Sequence, residues 1–500
     1  MTSDSQAFSR TIGTETEYGI ASKAPGLSDP VSNSIHVIGV YPDLAAPHAV
    51  WDYDNENPLV DARGFEVEGE RERPGPDYNR QLNKLLTNGG RLYVDGAHPE
   101  YSTPECINPL DIVAFERAGE RVMAKCLTAL ESSRGGNPFV LYKNNSDGKG
   151  NSYGYHENYL VARAVSFDTL AKALIPFFVT RPIIAGAGKV GAENQTAPCE
   201  YQISQRADFF ETLMDLNTMV RRPIMNTRDE PHSDPGKYRR LHVITGDANM
   251  AELSTYLKVG TLGVVLDMLE SGWPIPTFEL ENPVRAIKEV SRDLEVKQTL
   301  KLADGRPTTA LHIQRAYWRA ATDHAAAHAR PAFVGDVLRR WQDVLDKLES
   351  DPMALARQLD WVAKRQMIES YMERKGCGWT DPRVLLLDLQ YHDIRPDRGL
   401  YYALERTERI DRLLTDTRVS AAEHQPPTDT RAYFRGRCLH KYGRSVYGAS
   451  WTSVLFDVGN TTIKKVPLLD PHRGTEALTK GLIDGCGTAQ ALLAKLQGSA

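Results

Sequence analysis

The sequence predicts an α+β fold: one antiparallel sheet with an apolar back packed on helices and a polar front, plus a small C-terminal domain. Three observations carry this. Four short segments, "GTETEYGI", "RLYVD", "YHENYLV" and "RRLHVI", alternate polar with apolar or packing residues, as strands with one buried face do. Runs with helical spacing lie between and after them, above all residues 107–133 and the stretch from Thr261 to about Lys375. After "EHQPPTDTRAYFRGR" the composition shifts. That places a large domain at about residues 1–430 and a small one at 431–500.

In chain order, "IGTETEYGI" (Ile12 to Ile20) reads as a strand because Ile12, Tyr18 and Ile20 favour a pleated surface. Glu15 and Glu17 then leave the same face. The chain stays polar and turn-rich to about Pro30, and "SIHVIGVY" fits either helix or strand. Residues 51–76 are rich in acids, Gly and Pro and lack either period. They read as a long mobile loop within an acidic insertion at about 42–80. "GGRLYVDGAHPEYSTPE" is a strand, a turn and a second extended piece, followed by an amphipathic helix. Phe139 to Lys143 and Tyr155 to Ala162 read as a hairpin around a glycine-rich turn. A helix follows at "FDTLAKALIPFFV", then a strand pair at "IIAGAGKV" and "EYQISQRADFF". "RRLHVITGDAN" is a strand ended by a turn, "TLGVVLDMLESG" opens the helical stretch, and "TAQALLAKLQ" is a final helix.

Bulk properties exclude several classes. The 500 residues are 41% apolar and 25% charged, as in ordinary soluble globular proteins. A net charge of -5 gives no electrostatic case for nucleic-acid binding. "MTSDSQAFSR" has no apolar core of a signal peptide, and no run of 18 apolar residues would span a membrane. The six cysteines form no CxxC pair. Neither a disulfide framework nor a thiolate zinc site is expected, and a reducing cytoplasm fits. There is no GxxxxGK[ST] or HExxH motif.

If the four strands share one sheet, its front carries Glu15, Glu17, Tyr93, Asp95, His156, Asn158 and His242, with Glu100 nearby. Carboxylates with some imidazole and phenol oxygen suit Mg²⁺ or Mn²⁺. Arg91 and Arg240 add phosphate-binding charge. Metal, arginine and carboxylate together suit a nucleoside triphosphate. A single alternating pair is more often a solvated sheet face; four pairs, two of them beside glycine turns, favour a shared site.

"GTETEYGI", "NGGRLYVDGAHPEYSTPEC", "SYGYHENYLVAR", "YRRLHVITGDANMAE" and "DRGLYYALER" together resemble the family of Pup ligases and deamidases. Pup is the prokaryotic ubiquitin-like protein. The resemblance runs from about residue 10 to 470 and implies the carboxylate-amine ligase group, with its glutamine-synthetase-like fold. Within the family, ligases open closer to "GIETEFG". Thr14, Tyr18, the acidic insertion and the short "DGAHPE" spacing resemble the deamidase branch instead.

The resemblance implies roles. Glu15, Tyr93, Glu100, His156 and His242 match magnesium ligands, and Glu17 is a candidate for a second metal or for orienting substrate. Ser102, Thr103, Asn158 and Arg240 match nucleotide contacts, Trp451 less closely, and Arg91 matches a phosphate contact. Asp95 matches the essential aspartate. The implied activity is hydrolysis of the C-terminal glutamine amide of Pup and of the Pup–lysine isopeptide bond. ATP (or ADP plus phosphate) and Mg²⁺ are the cofactors. Pup and pupylated proteins are the partners, with a functional link to the bacterial proteasome. An acidic Pup would need a basic groove, for which Arg206, Arg221, Arg222, Arg228, Lys237 and Arg239 are candidates. The rival readings are a Pup–protein ligase, a non-catalytic nucleotide-binding scaffold, and a ligase for small molecules.

Overall fold

Six strands form one antiparallel sheet in the computed structural model, which describes residues 10–22, 29–69, 73–134, 137–459 and 462–498. Across the sheet they run Tyr238–Val243, Tyr155–Ala162, Ile12–Glu17, His98–Ser102, Arg91–Asp95 and Asn83–Leu85. The register fixes the front. Glu15 lies opposite His156 on one side and Ser102 on the other. Glu17 and Tyr93 both lie opposite Glu100, and Asn158 opposite His242. Directly opposed residues point to the same face, so these polar side chains share one surface.

The intervening residues Ile12, Leu92, Tyr101, Tyr159, Val161, Leu241 and Val243 are fully buried and form the back. A slip of one residue would exchange the two sets. The helices Pro109–Arg134 and Glu252–Glu270 cover that back. Gly119 lets the first of them sit close: a Cβ there would lie 2.4 Å from Tyr101 Cδ1. Any larger residue would push the helix off the sheet, at a cost of about 1–3 kcal/mol. Glu157, also on the back, is held by Arg181 through two bonds of 2.7 and 2.8 Å and by the Tyr159 hydroxyl. A buried charge paired in this way is tolerated.

Several expectations are corrected. The hairpin of Phe139–Tyr142 with Tyr155–Ala162 does not form. Phe139–Tyr142 pairs with Gly19–Ser22, while Tyr155–Ala162 takes both neighbours inside the main sheet. The segment between them is no tight turn but a loop folded on Asp147, whose side chain accepts from the backbone of Lys149 and Asn151. In "IIAGAGKV" the first residues form a helical turn, Pro182–Ala185, because proline at its start presets φ. Only Lys189–Val190 pairs with Tyr201–Gln202. "SIHVIGVY" lies in and just after the helix Pro30–Gly39, capped by Asp29.

Glu252–Glu270 begins before the expected Thr261, since buried polar residues at its start mask the period. Lys258 donates to the Asp247 carbonyl and Asn249, and Glu252 accepts from the Leu413 and Leu414 amides. The expected turn-rich run before Pro30 lies mostly outside the described residues, as do residues 70–72 of the insertion. The rest of residues 51–76, expected to lack regular structure, carries the short strands Val60–Asp61 and Phe65–Glu66. Ala62 donates to the Thr227 carbonyl and Asp229 to that of Val60.

The C-terminal residues build a second core. Tyr433, Phe434, Leu439, Val446, Phe456 and Leu492 cluster there with Ala46, Ala49, Trp51 and Leu85. Its sheet runs Lys464–Pro467, Ser453–Phe456, Val446–Ser450 and then Val50–Trp51, the last pair parallel. The start of the acidic insertion is thus shared with the C-terminal unit. Among the described residues no helix is long and apolar enough to cross a membrane.

Candidate active site

The sheet front floors an open basin of about 1590 Å³, solvent-open space included, lined by Glu15, Glu17, Arg91, Tyr93, Asp95, Ser102, His156 and Arg240. A smaller pocket of about 560 Å³ adjoins it, bounded by Gly13, Thr14, Ser102, Thr103, Asn158, His232, Arg240 and Arg431. Trp451 lines both and meets Trp51 edge-on, with ring centroids 5.1 Å apart.

Two groups of metal-ligating atoms lie on the floor, each within 4.8 Å: Glu15, His156 and His242, and Glu17, Asp95 and Glu100. In the first, Glu15 Oε2 meets His156 Nδ1 at 3.2 Å and Glu15 Oε1 accepts from Asn158 Nδ2 at 3.0 Å. Asn158 Oδ1 faces His242 Nδ1 at 2.9 Å and accepts from Arg240 at 3.3 Å. Because Asn158 Oδ1 can only accept, His242 Nδ1 carries the proton. Burial, then the charges of Arg240 and His156, push the His242 imidazole well below its usual range, so it is neutral. Its Nε2 is therefore a bare lone pair, and it is buried without a partner among the described residues. In the second group, Tyr93 donates to Glu100 Oε1, while Glu100 Oε2 is buried without a partner among the described residues. An orphan imidazole nitrogen and an orphan carboxylate oxygen, both buried and beside further carboxylates, are what a divalent cation fits.

The electrostatics agree. Burial raises the Glu100 carboxyl well above the usual range, and the charges of Asp95, Glu15 and Glu17 add to it. Burial and the Glu17 charge likewise raise Asp95, although its side chain is exposed to the basin. Glu15 goes the other way. Burial pushes it up, but the hydrogen bond with His156 and the charge of Arg240 outweigh that and hold it below the usual range. For Glu17 the His98 contact at 3.1 Å plays the same part against burial. Carboxylates this close are fully ionised together only with positive charge between them.

Arg91 lies between two rings, 4.1 Å from Trp51 and 3.9 Å from Tyr93, and donates to Asn83 Oδ1 at 2.9 and 2.5 Å. Stacking and hydrogen bonds fix the guanidinium over the basin. Arg206 and Arg228 line the far wall with Arg222. Burial and the Arg222 charge pull Arg206 down to about 10, and burial and Arg240 lower Arg228. Cations crowded in a low dielectric favour an anion.

Of the residues named from sequence, Glu15, Glu17, Arg91, Tyr93, Asp95, Ser102, His156, Arg206, Arg228, Arg240 and Trp451 line the basin, with Arg222. Thr103 and Asn158 line the adjoining pocket, and Thr103 Oγ1 accepts from the Thr14 amide at 2.9 Å. Glu100 and His242 complete the two ligand groups. Arg239 is not brought in: it pairs with Val161 and shares the back-facing parity of Leu241. Arg221 and Lys237 do not line the basin either. Sequence reading missed His98, Tyr53, Glu56 and Glu230, all in the basin wall. His98 had a signal, since it lies directly across the hairpin from Asp95. Glu230 had none, because its segment is irregular. It accepts from Arg240 at 3.2 Å and from the Asn57 amide, joining the insertion to the site.

The family model of the Pup-ligase protein matches residues 10–455. The chain belongs to the Pup-ligase protein family. It is 48% identical to the depupylase of Acidothermus cellulolyticus, over 98% of this chain and 99% of that protein. It is 45% identical to the Pup deamidase/depupylase of Mycolicibacterium smegmatis, over 97% and 99%. Against a Pup–protein ligase of Mycobacterium sp. (strain KMS) the identity is 42%, over 81% and 91%. Among solved family structures, the ligase PafA in complex with Pup superposes with a TM-score of 0.80 at 34% identity, covering 99% of this chain and 96% of that one. PafA in complex with ADP gives 0.73 at 37% identity, covering 84% and 96%. Members of this family are enzymes, and a nucleotide is bound in one of them.

Proposed function

We propose that this protein is a Pup deamidase and depupylase. It converts the C-terminal glutamine of Pup to glutamate and cleaves the isopeptide bond between Pup and lysine in pupylated proteins. The observation that carries this is the 48% sequence identity with a depupylase over 98% of this chain, against 42% over 81% with a Pup–protein ligase. ATP, or ADP plus phosphate, and Mg²⁺ are the cofactors. The work belongs to the cytoplasm, upstream of or beside the bacterial proteasome, without nucleic acid or membrane.

Glu15, His156 and His242, with Glu17, Tyr93 and Glu100, would hold magnesium. Bound nucleotide and Mg²⁺ polarise a carbonyl and steady the charge that develops on it. The chain's residues do the rest. Asn158, Ser102, Thr103 and Trp451 shape the nucleotide pocket, and Arg91 and Arg240 place positive charge on its phosphates. Arg206 and Arg228, with Arg222 beside them, receive substrate carboxylate or phosphate. Asp95 stands at the basin edge with its carboxylate free to act, as nucleophile or as base. Water ends on the acyl carbon as hydroxyl, and its proton leaves with the amine.

The test is mass spectrometry of Pup ending in glutamine, incubated with the protein and ATP. Hydrolysis appears as the mass change of NH₂ to OH. A ligase leaves glutamine-ended Pup unchanged and joins glutamate-ended Pup to lysine, and a scaffold does neither.

A further inference from the structure

Met219 stands apart among the exposed apolar side chains. It is 70% exposed, its neighbour Val220 is 62% exposed, and Met219 lines the basin that holds Asp95 and Glu17. Other large apolar residues at the surface, such as Leu385, Leu386 and Leu478, do not line it. The tip that presents Met219 is built. Asn217 Oδ1 accepts from the Met219 amide at 2.8 Å and the Val220 amide at 3.1 Å. Asn226 Nδ2 donates to the carbonyls of Asp215 and Leu216. At its base Arg222 donates to the Ser152 carbonyl at 2.7 Å, tying the tip to the basin wall. The floor and far wall of the basin are charged, through Glu17, Asp95, Arg206, Arg228 and Arg240. An apolar side chain held out among them gains nothing for the fold, because it remains in water.

We propose that Met219, with Val220 beside it, is the lip that receives the methylene stem of the lysine in the isopeptide substrate. It thereby separates activity on Pup conjugates from activity on Pup ending in glutamine. This rests on the hydrolase reading above and adds a specificity determinant to it. Both reactions break the same carbonyl C–N bond, with hydroxyl from water going to the acyl carbon and the proton to the departing nitrogen. From glutamine, ammonia leaves, and it has no carbon to contact. From a conjugate, the lysine amine leaves, and its run of methylenes needs an apolar surface that the charged floor does not offer. An unbranched thioether adapts to stems arriving from different target proteins.

The experiment is a series of Pup γ-amides at the C-terminal glutamate: ammonia (the glutamine form), methylamine, n-butylamine and the side chain of Nα-acetyl-lysine amide. In wild type, kcat/KM rises along the series by about twofold per methylene, as expected for partly buried CH₂ groups. Met219→Ser flattens the series, losing about tenfold on the lysine conjugate and less than about twofold on the glutamine form. Met219→Leu keeps the slope. Because Met219 is exposed, its truncation leaves the fold intact, which circular dichroism checks. Equal losses on both substrates, or an unchanged slope in Met219→Ser, overturn the lip. A wild-type protein that cleaves none of these amides overturns the hydrolase reading itself, and the lip with it.

Discussion

Replacing Glu105 by Gln should loosen the C-terminal unit from the sheet, with a pH dependence set by one carboxylate. Glu105 is buried and lines the smaller pocket. It accepts from Arg431 Nε at 2.7 Å and from Arg435 NH1 at 3.3 Å and NH2. Arg435 also donates to the Gly89 carbonyl at 2.7 and 3.0 Å, and Arg431 to those of Leu468 and His232, both at 2.8 Å. Gly89 is required there: its φ is +83°, and a Cβ would lie 2.9 Å from the Ala432 carbonyl oxygen. Arg431, at the N-cap of the helix Ala432–Tyr442, and Arg435 within it thus clamp the C-terminal core to the strand hairpin through one carboxylate.

Burial pushes Glu105 up, but the Arg435 and Arg431 guanidiniums outweigh it and hold its pKa down to about 2, against an ordinary 4.5. A folded-state pKa below the unfolded one means stability that is present above pH 4.5 and lost as pH falls towards 2. The shift amounts to about 3 kcal/mol at neutral pH, of which about 2 kcal/mol remains at pH 3.5. The assay is hydrogen exchange of the helix Ala432–Tyr442 in wild type and Glu105→Gln, corrected for intrinsic rates. At pH 7 the variant's local opening should be favoured by roughly two orders of magnitude, and the gap should narrow as pH falls. A gap that stays constant with pH, or protection equal to wild type at pH 7, would refute the clamp.

Asp95→Asn, checked by mass spectrometry for reversion to aspartate, should abolish amide cleavage while binding nucleotide as wild type does; normal turnover would remove Asp95 from the chemistry. Mg²⁺ at about a hundred times its Kd should stabilise wild type by about 2.7 kcal/mol. That thermal shift should vanish in Glu100→Gln combined with His242→Ala, and an undiminished shift would place the metal elsewhere. Trp51→Leu removes one of the rings around Arg91 and should weaken nucleotide binding about tenfold, the worth of one desolvated cation–π contact; unchanged affinity in calorimetry would take Arg91 off the phosphates.

The site was largely legible because a strand writes its face into alternate positions. Glu15 and Glu17, Tyr93 and Asp95, and Arg240 and His242 each declared a shared side before any pairing was known, and the observed register brings those sides together. The same rule places Arg239 behind the sheet, a consequence that its positive charge obscured. Partners were less legible than faces. Phe139–Tyr142 and Tyr155–Ala162 are neighbours in sequence, yet each pairs elsewhere, because pairing depends on which edges are free in three dimensions. The insertion shows the limit most clearly. Trp51 lies in a stretch without period, yet it packs in the C-terminal core and stacks on Arg91 at once. Its neighbours Tyr53 and Glu56 line the basin, and Asn57 bonds Glu230, which holds Arg240. Contacts made by irregular backbone across hundreds of residues leave no local pattern. A segment that touches Arg91 on one side of the basin and, through Glu230, Arg240 on the other therefore belongs to the architecture of the site, whatever its sequence suggests about order.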